Sequence, residues 1–168
     1  NLFNATAKLV NVYGPTECTC ICSSLIVEEE VFEDMNSFSP LGKIAPNFSF
    51  YIDPITENEP NEGELCLLGP NVGLGYYNDP ERTAKAFVQH PNKDYSCTMY
   101  KTGDLVYLDT DGFLQIKGRV DHQIKHLGYR IELEEIESGM NRVDNVKESA
   151  AIYKTLGNGL GYFVGIVN

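Results

Sequence analysis

Tyr13, Thr16 and Glu17 flank a Gly14-Pro15 turn, and their residue types suit a phosphorylated ligand. A tyrosine ring offers a flat apolar face on which another ring can stack. Just past the turn, a hydroxyl and a carboxylate can both reach one ligand. A hydroxyl on a phosphate oxygen, beside a carboxylate holding a hard cation, fits a magnesium nucleotide, because Mg2+ usually takes one or two protein carboxylates with phosphate oxygens. Asp104 follows Gly103 within YKTGDL (100–105), where a carboxylate can accept two hydrogen bonds from a vicinal diol such as a ribose. Arg119 follows Gly118, and its fork of donors suits ribose or phosphate oxygens. Singly, each is also what a core tyrosine, a turn aspartate or a surface arginine looks like. As an ordered set they point to a nucleotide.

The elements that must hold these residues are mostly strands. KLVNV (8–12) runs as a strand into the Gly14-Pro15 turn, and CTCICSSLIV (18–27) reads as a second, buried strand. On a strand the alternation of Cys18, Cys20 and Cys22 puts all three on one face, as small apolar residues and not as a metal site. FSFYI (48–52) and ELCLLG (64–69) are further β-type runs. Asp79 can cap a helix that begins at Pro80, with Ala84, Phe87 and Val88 as its apolar face. LVYLDTDGFLQI (105–116) reads as a hairpin turning at Asp111-Gly112. An amphipathic helix is expected over 131–140, its early acids at the positive end of the helix dipole. Strands over 150–153 and 160–167 follow. The order indicates α+β, with a change of character near residue 120.

Composition narrows the function. The 168 residues are 42% hydrophobic and 22% charged, as in a globular protein, and the net charge is −11. So acidic a chain is a poor binder of nucleic acid or anionic membranes through bulk charge. The surplus sits early: 13 acids against 3 bases up to residue 84, then 11 against 10. The acidic run from Glu28 to Asp34 reads as an exposed loop. Five cysteines, no CxxC pair and no signal peptide fit a reducing, cytoplasmic compartment. Gly73-Leu74-Gly75 resembles half a phosphate loop but opens no helix, so it reads as a structural turn. His122 and His126 lie by a charged loop, with no partner in sequence that would make either a base.

Four segments in order, NVYGPTE (11–17), GELCLLGPNVGLGYYNDPERTAKAF (63–87), YKTGDL (100–105) and GRVDHQIKHLGYRIELEEIE (118–137), closely resemble consecutive motifs of the adenylate-forming superfamily. That superfamily includes acyl-CoA synthetases, luciferases and the adenylation domains of nonribosomal peptide synthetases. The last segment looks like its amino-acid-activating branch, which includes D-alanine–carrier-protein ligases. The resemblance implies ATP or AMP and Mg2+ as ligands. Tyr13 would stack on adenine with Asn11 near its amino group, Thr16 would contact the α-phosphate, and Glu17 would hold the metal. Asp104 would bind the ribose hydroxyls and Arg119 the ribose or phosphates. Val12, Cys20 and Ile21 align with positions that line the amino-acid pocket. Asp121 would be the hinge, and Lys125 and Gly128 would lie on the loop that meets the acceptor thiol.

The same resemblance implies the architecture. Residues 1–120 would be the C-terminal part of a large adenylation domain, ending in a distorted β-barrel-like subdomain. Residues 121–168 would be an incomplete, small, mobile α+β domain. The family's phosphate loop is expected upstream of residue 1 and its catalytic Lys after residue 168, so no catalytic residue is expected within the segment. The expected substrate is an amino acid, and the expected acceptor is the phosphopantetheine thiol of a carrier protein. A fatty or aryl acid with CoA, or a fragment without chemistry, are the alternatives.

Overall fold

The computed structural model describes residues 6–28, 40–56, 61–91, 97–121, 123–126, 129–156 and 161–168. They divide into two compact units, Asn1–Val120 and Asp121–Asn168. Most of the regular secondary structure among the described residues is antiparallel sheet, with two short α-helices. No helix among the described residues is long and apolar enough to cross a membrane.

The first unit holds two sheets. In one, β1 (Leu9–Tyr13) pairs with β2 (Ser23–Val27), which pairs with β3 (Lys43–Ile44). In the other, β4 (Ser49–Pro54), β5 (Glu62–Leu68), β7 (Thr98–Leu108) and β6 (Phe87–Gln89) lie in that order, and β8 (Leu114–Arg119) also pairs with β7. Tyr13, Cys18, Cys22, Leu41, Phe48, Leu65, Leu67, Tyr100, Val106 and Leu114 form the main core, drawn from both sheets. An isolated β-bridge, Gly42 to Leu114, links them. The barrel-like expectation is not met as a closed barrel. β7 is long enough to divide its second edge between β6 and β8, and β4 has no strand on its outer edge among the described residues. Closure would require that edge to be paired.

In the first unit, two local expectations change. The CTCIC run is not a strand: Thr16–Cys18 forms a 3-10 turn, and Thr19 and Cys20 take positive φ values of 59° and 82°. These conformations break the two-residue alternation, so Cys18 and Cys22 are fully buried while Cys20 is exposed. Likewise α1 (Pro80–Ala86) stops before Phe87 and Val88. Those two residues pair with Tyr100 and Met99 as β6, a sheet contact that outweighs their helical spacing. Of the acidic run, Glu28 is exposed and residues 29–34 lie outside the described residues.

The start of α1 is as read. Asp79 Oδ1 accepts from Arg82 N at 2.9 Å, and Pro80 occupies the first turn. Thr83 Oγ1 accepts from Tyr76 N at 2.9 Å, which ties the preceding segment to the cap. Asp79→Ala should cost about 1 kcal/mol. Thermal unfolding should register this as a midpoint lowered by roughly 2–4 °C.

The second unit comprises a hairpin of β9 (Ile124–His126) and β10 (Tyr129–Ile131), then α2 (Leu133–Met140), then a hairpin of β11 (Ser149–Thr155) and β12 (Gly161–Val167). Ile131, expected in the helix, belongs to β10. α2 is fastened to β11 through Glu137, whose Oε1 accepts from Ala151 N at 2.9 Å and whose carbonyl accepts from Ser149 Oγ at 3.0 Å.

Candidate functional site

Asp104 lies where β7 leaves ideal geometry. Gly103 has φ of 75°, a left-handed conformation that suits glycine, and the β5–β7 register shifts at this point. Glu64 Oε1 accepts from Gly103 N at 3.0 Å, and Glu64 Oε2 accepts from Lys101 Nζ at 2.9 Å. Lys101 also donates to Asp53 Oδ2 at 2.8 Å. Lys101 is only partly exposed; desolvation opposes its charge, but the two carboxylates outweigh that and raise its pKa. Thr102 Oγ1 donates to Leu65 O at 2.8 Å and accepts from Asp104 N at 3.1 Å. The bulge carrying Asp104 is therefore held from both sides.

The Asp104 side chain is 5% exposed, and both its oxygens accept charged or phenolic donors. Arg119, its direct cross-strand partner on β8, donates from Nη1 to Oδ1 at 2.6 Å, and from Nη2 to Thr102 O at 3.3 Å. Tyr13, at the end of β1, donates from Oη to Oδ2 at 2.5 Å. The Tyr13 phenol is pushed well above its ordinary pKa, first by burial and then by the Asp104 charge, so it stays a proton donor. Two residues singled out separately in sequence thus converge, from two sheets, on the carboxylate of a third. Sequence reasoning missed Glu64 and Thr102. The only signal was their neighbourhood within GEL and KTGD.

Glu17 sits on the 3-10 turn after Gly14-Pro15, half-buried. Tyr76 Oη donates to Glu17 Oε1 at 2.7 Å, and the Glu17 carbonyl accepts from Gly73 N at 2.7 Å. Gly73-Leu74-Gly75, read as a structural turn, and the Tyr76 that follows it therefore also orient Glu17, which the sequence did not reveal. Arg82 stacks over the Tyr76 ring at 4.5 Å. Thr16 and Glu17 are consecutive on this turn, and one carboxylate with one hydroxyl is a donor set that could hold Mg2+, which draws most ligands from phosphate and water. Among the described residues no cluster of three His, Cys, Asp or Glu side chains could hold a metal by itself.

Thr16 is exposed on the same turn. Asn11 Nδ2 donates to Pro40 O at 2.8 Å. Val12 and Ile21 are about half exposed and Cys20 is exposed. The 18–22 loop folds back on the turn, with Cys20 N donating to Pro15 O at 3.3 Å and Cys22 N to Tyr13 O at 2.7 Å. In the second unit, Asp121 Oδ1 accepts from Gln123 N at 3.2 Å. Lys125 is in β9, paired with Arg130, whereas Gly128 and His122 lie outside the described residues.

Known proteins resemble this chain over nearly its full length. The family model described as AMP-binding enzyme matches residues 1–77. Bacitracin synthase 1 of Bacillus licheniformis is 40% identical over 167 residues, 98% of this chain and 3% of that protein. A D-alanine–D-alanyl carrier protein ligase of Streptococcus agalactiae serotype V is 39% identical over 149 residues, 87% of this chain and 28% of that protein. The chain thus spans a small part of each relative. Among solved structures, the adenylation domain AlmE of Vibrio cholerae, in complex with glycyl-adenosine-5'-phosphate, superposes with a TM-score of 0.75 at 31% identity, over 95% of this chain and 31% of that one. An NRPS protein containing adenylation and PCP domains, bound to a vinylsulfonamide inhibitor, gives 0.79 at 30% identity, over 95% and 28%.

Proposed function

We propose, on the premise that this chain is part of an adenylation domain of the adenylate-forming superfamily, that it belongs to an ATP-dependent amino-acid-activating enzyme. The observation that carries the reading is the convergence of Tyr13 and Arg119 on the buried carboxylate of Asp104. The form of residues 118–137, and relatives that are peptide synthetases and carrier-protein ligases, support an amino acid as the substrate and a carrier thiol as the acceptor. Residues 1–120 are then the end of the large domain and 121–168 most of the small mobile one, with Asp121 as hinge. Free cysteines and a demand for ATP fit a cytoplasmic enzyme.

In this reading an amino-acid carboxylate oxygen attacks the α-phosphorus of ATP. The bond from that phosphorus to the bridging oxygen breaks and pyrophosphate leaves. A carrier thiolate then attacks the acyl carbon and AMP departs. The protein contributes position and charge stabilisation. Asp104 accepts the ribose hydroxyls, Arg119 holds ribose or phosphate oxygens, and the Tyr13 ring faces adenine. Asn11 lies near the adenine amino group, and Thr16 donates to an α-phosphate oxygen. Val12, Cys20 and Ile21 line the substrate pocket. Glu17, oriented by Tyr76, would ligate Mg2+, which when bound neutralises phosphate charge.

Both Asp104 oxygens already accept protein hydrogen bonds, so a diol binds only as the Tyr13 hydroxyl and the Arg119 fork shift aside or share. This separates two roles of Tyr13. Tyr13→Phe keeps the ring and removes a competing donor, so ATP affinity should stay within about threefold of the parent. Tyr13→Ala removes the stack, with an expected loss of ~1–3 kcal/mol by analogy with other base–aromatic contacts. Equal losses in the two variants, measured by calorimetry, would contradict the stacking role. The function itself is tested in the intact parent by ATP–pyrophosphate exchange with a panel of amino, fatty and aryl acids. Exchange stimulated by an amino acid is expected. Stimulation by a fatty or aryl acid alone, with CoA as acceptor, would overturn the amino-acid reading.

A further inference from the structure

We infer that His126 and Tyr153 form a clamp that fixes the direction of the β9–β10 hairpin for the transfer half-reaction. The inference rests on the proposed reading of residues 125–128 as the loop that meets the acceptor thiol. His126 is the last residue of β9 and the register partner of Tyr129 on β10. Two strands of three residues are too short to hold an orientation unaided. The hairpin must take its direction from what it is fastened to.

It is fastened at both ends. At its base, Gln123 Nε2 donates to Glu132 Oε1, just ahead of α2. At its other end, His126 Nδ1 and Tyr153 Oη lie 3.0 Å apart and share a hydrogen bond. The His126 ring also meets Tyr153 and Phe163 edge-on, with centroids 5.6 and 5.4 Å away and interplanar angles of 77° and 75°. Tyr153 and Phe163 face each other across β11 and β12, their rings 4.9 Å apart. Edge-to-face aromatic contacts add directional preference to simple burial. A ring that is hydrogen-bonded and held edge-on by two others has little freedom left.

Gly161 supports the same geometry. It is paired with Thr155, and a Cβ built on it would fall 1.9 Å from Tyr153 Oη and 2.1 Å from Cζ. Only glycine leaves the space through which the tyrosine reaches His126. The cluster lies wholly within the second unit, and no proton transfer is required of the histidine. It is a positioning residue that acts through the β9–β10 hairpin.

The test measures both half-reactions in the intact parent enzyme with its carrier protein: pyrophosphate exchange, and thioester formation by mass spectrometry. His126→Ala and Gly161→Ala should slow thioester formation on the order of tenfold, since ~1 Å of misplacement can cost ~100-fold. Exchange should stay within about twofold. Tyr153→Phe, which deletes one hydroxyl and keeps the rings, should give a smaller loss of the same selective kind, and it decides the matter if His126→Ala does not fold. Gly128→Leu checks the underlying loop reading. If it blocks transfer while His126→Ala, Gly161→Ala and Tyr153→Phe do not, the clamp is overturned and the loop reading stands. If Gly128→Leu leaves transfer intact, the loop reading fails and the clamp with it. Equal losses in both half-reactions would mean a role in folding alone and would also overturn the inference.

Discussion

Asp104→Ala in the intact parent should weaken ATP binding by roughly tenfold or more, because ~1.4 kcal/mol is a factor of ten and hydrogen bonds to charged groups contribute ~1.5–3 kcal/mol each. Two effects must be kept apart. Removing the carboxylate also strips one charged partner from Arg119, whose side chain is 14% exposed, and the loss of a carboxylate beside so enclosed a cation destabilises the fold. Asp104→Asn keeps one acceptor oxygen and should lie between parent and Ala in affinity. Asp109→Ala is the matched control. Burial works against the Asp109 charge, but hydrogen bonds from Gln115, Phe113 and Asp111 hold its carboxyl below the usual range. That carboxylate organises the β7–β8 turn, so its loss should lower stability and leave nucleotide affinity near the parent value. Calorimetry that finds both Asp104 variants binding ATP like the parent would remove the ribose assignment.

The second large effect concerns Asp121. Val120 N still donates to Gly103 O at 2.9 Å, within the first unit, whereas the Asp121 carboxylate accepts from Gln123 N, within the second. A change in φ and ψ at this junction falls at the boundary between the two compact units, where a hinge is expected. Proline fixes φ near −65° and restricts Val120 before it. Asp121→Pro should therefore trap one arrangement of the parent enzyme. If adenylation is trapped, pyrophosphate exchange survives and thioester formation falls by at least roughly tenfold, a bias of ~1.4 kcal/mol or more. The reverse pattern means the other arrangement is trapped and still supports a hinge. Asp121→Ala, which loses the bond to Gln123 but leaves the backbone free, should show neither split. Equal, modest losses in both half-reactions for the proline variant would count against the hinge.

What the sequence made legible was local structure. The Gly-Pro turn with its hydroxyl and carboxylate, the Asp after Gly103, and the Asp79-Pro80 helix start are each decided within a few residues, and so were readable. The convergence of Tyr13 and Arg119 on Asp104 was not. It depends on the register of β8 against β7, shifted between Leu105 and Val106, and on contact between residues 91 positions apart. Glu64 escaped notice for the same reason: its bond to Gly103 exists only once β5 lies beside β7. Periodicity misled where tertiary pairing overrode it. Phe87 and Val88 carry helical spacing yet complete a sheet, and the alternating cysteines end in a turn because Thr19 and Cys20 adopt positive φ. His126 looked idle because its partners, Tyr153 and Phe163, are brought to it by a hairpin far along the chain.

The assignment of Asp104 to a ribose diol is open to one decisive comparison, the binding of ATP and 2′,3′-dideoxy-ATP to the parent enzyme and to Asp104→Ala. If the carboxylate and the diol bond each other, deleting either one removes the same interaction, and the two deletions are not additive. The parent should lose roughly tenfold or more in affinity for the dideoxy nucleotide, and Asp104→Ala should bind both nucleotides alike. The same dideoxy penalty in parent and variant would contradict the assignment, because it would place the recognition of the ribose somewhere other than Asp104.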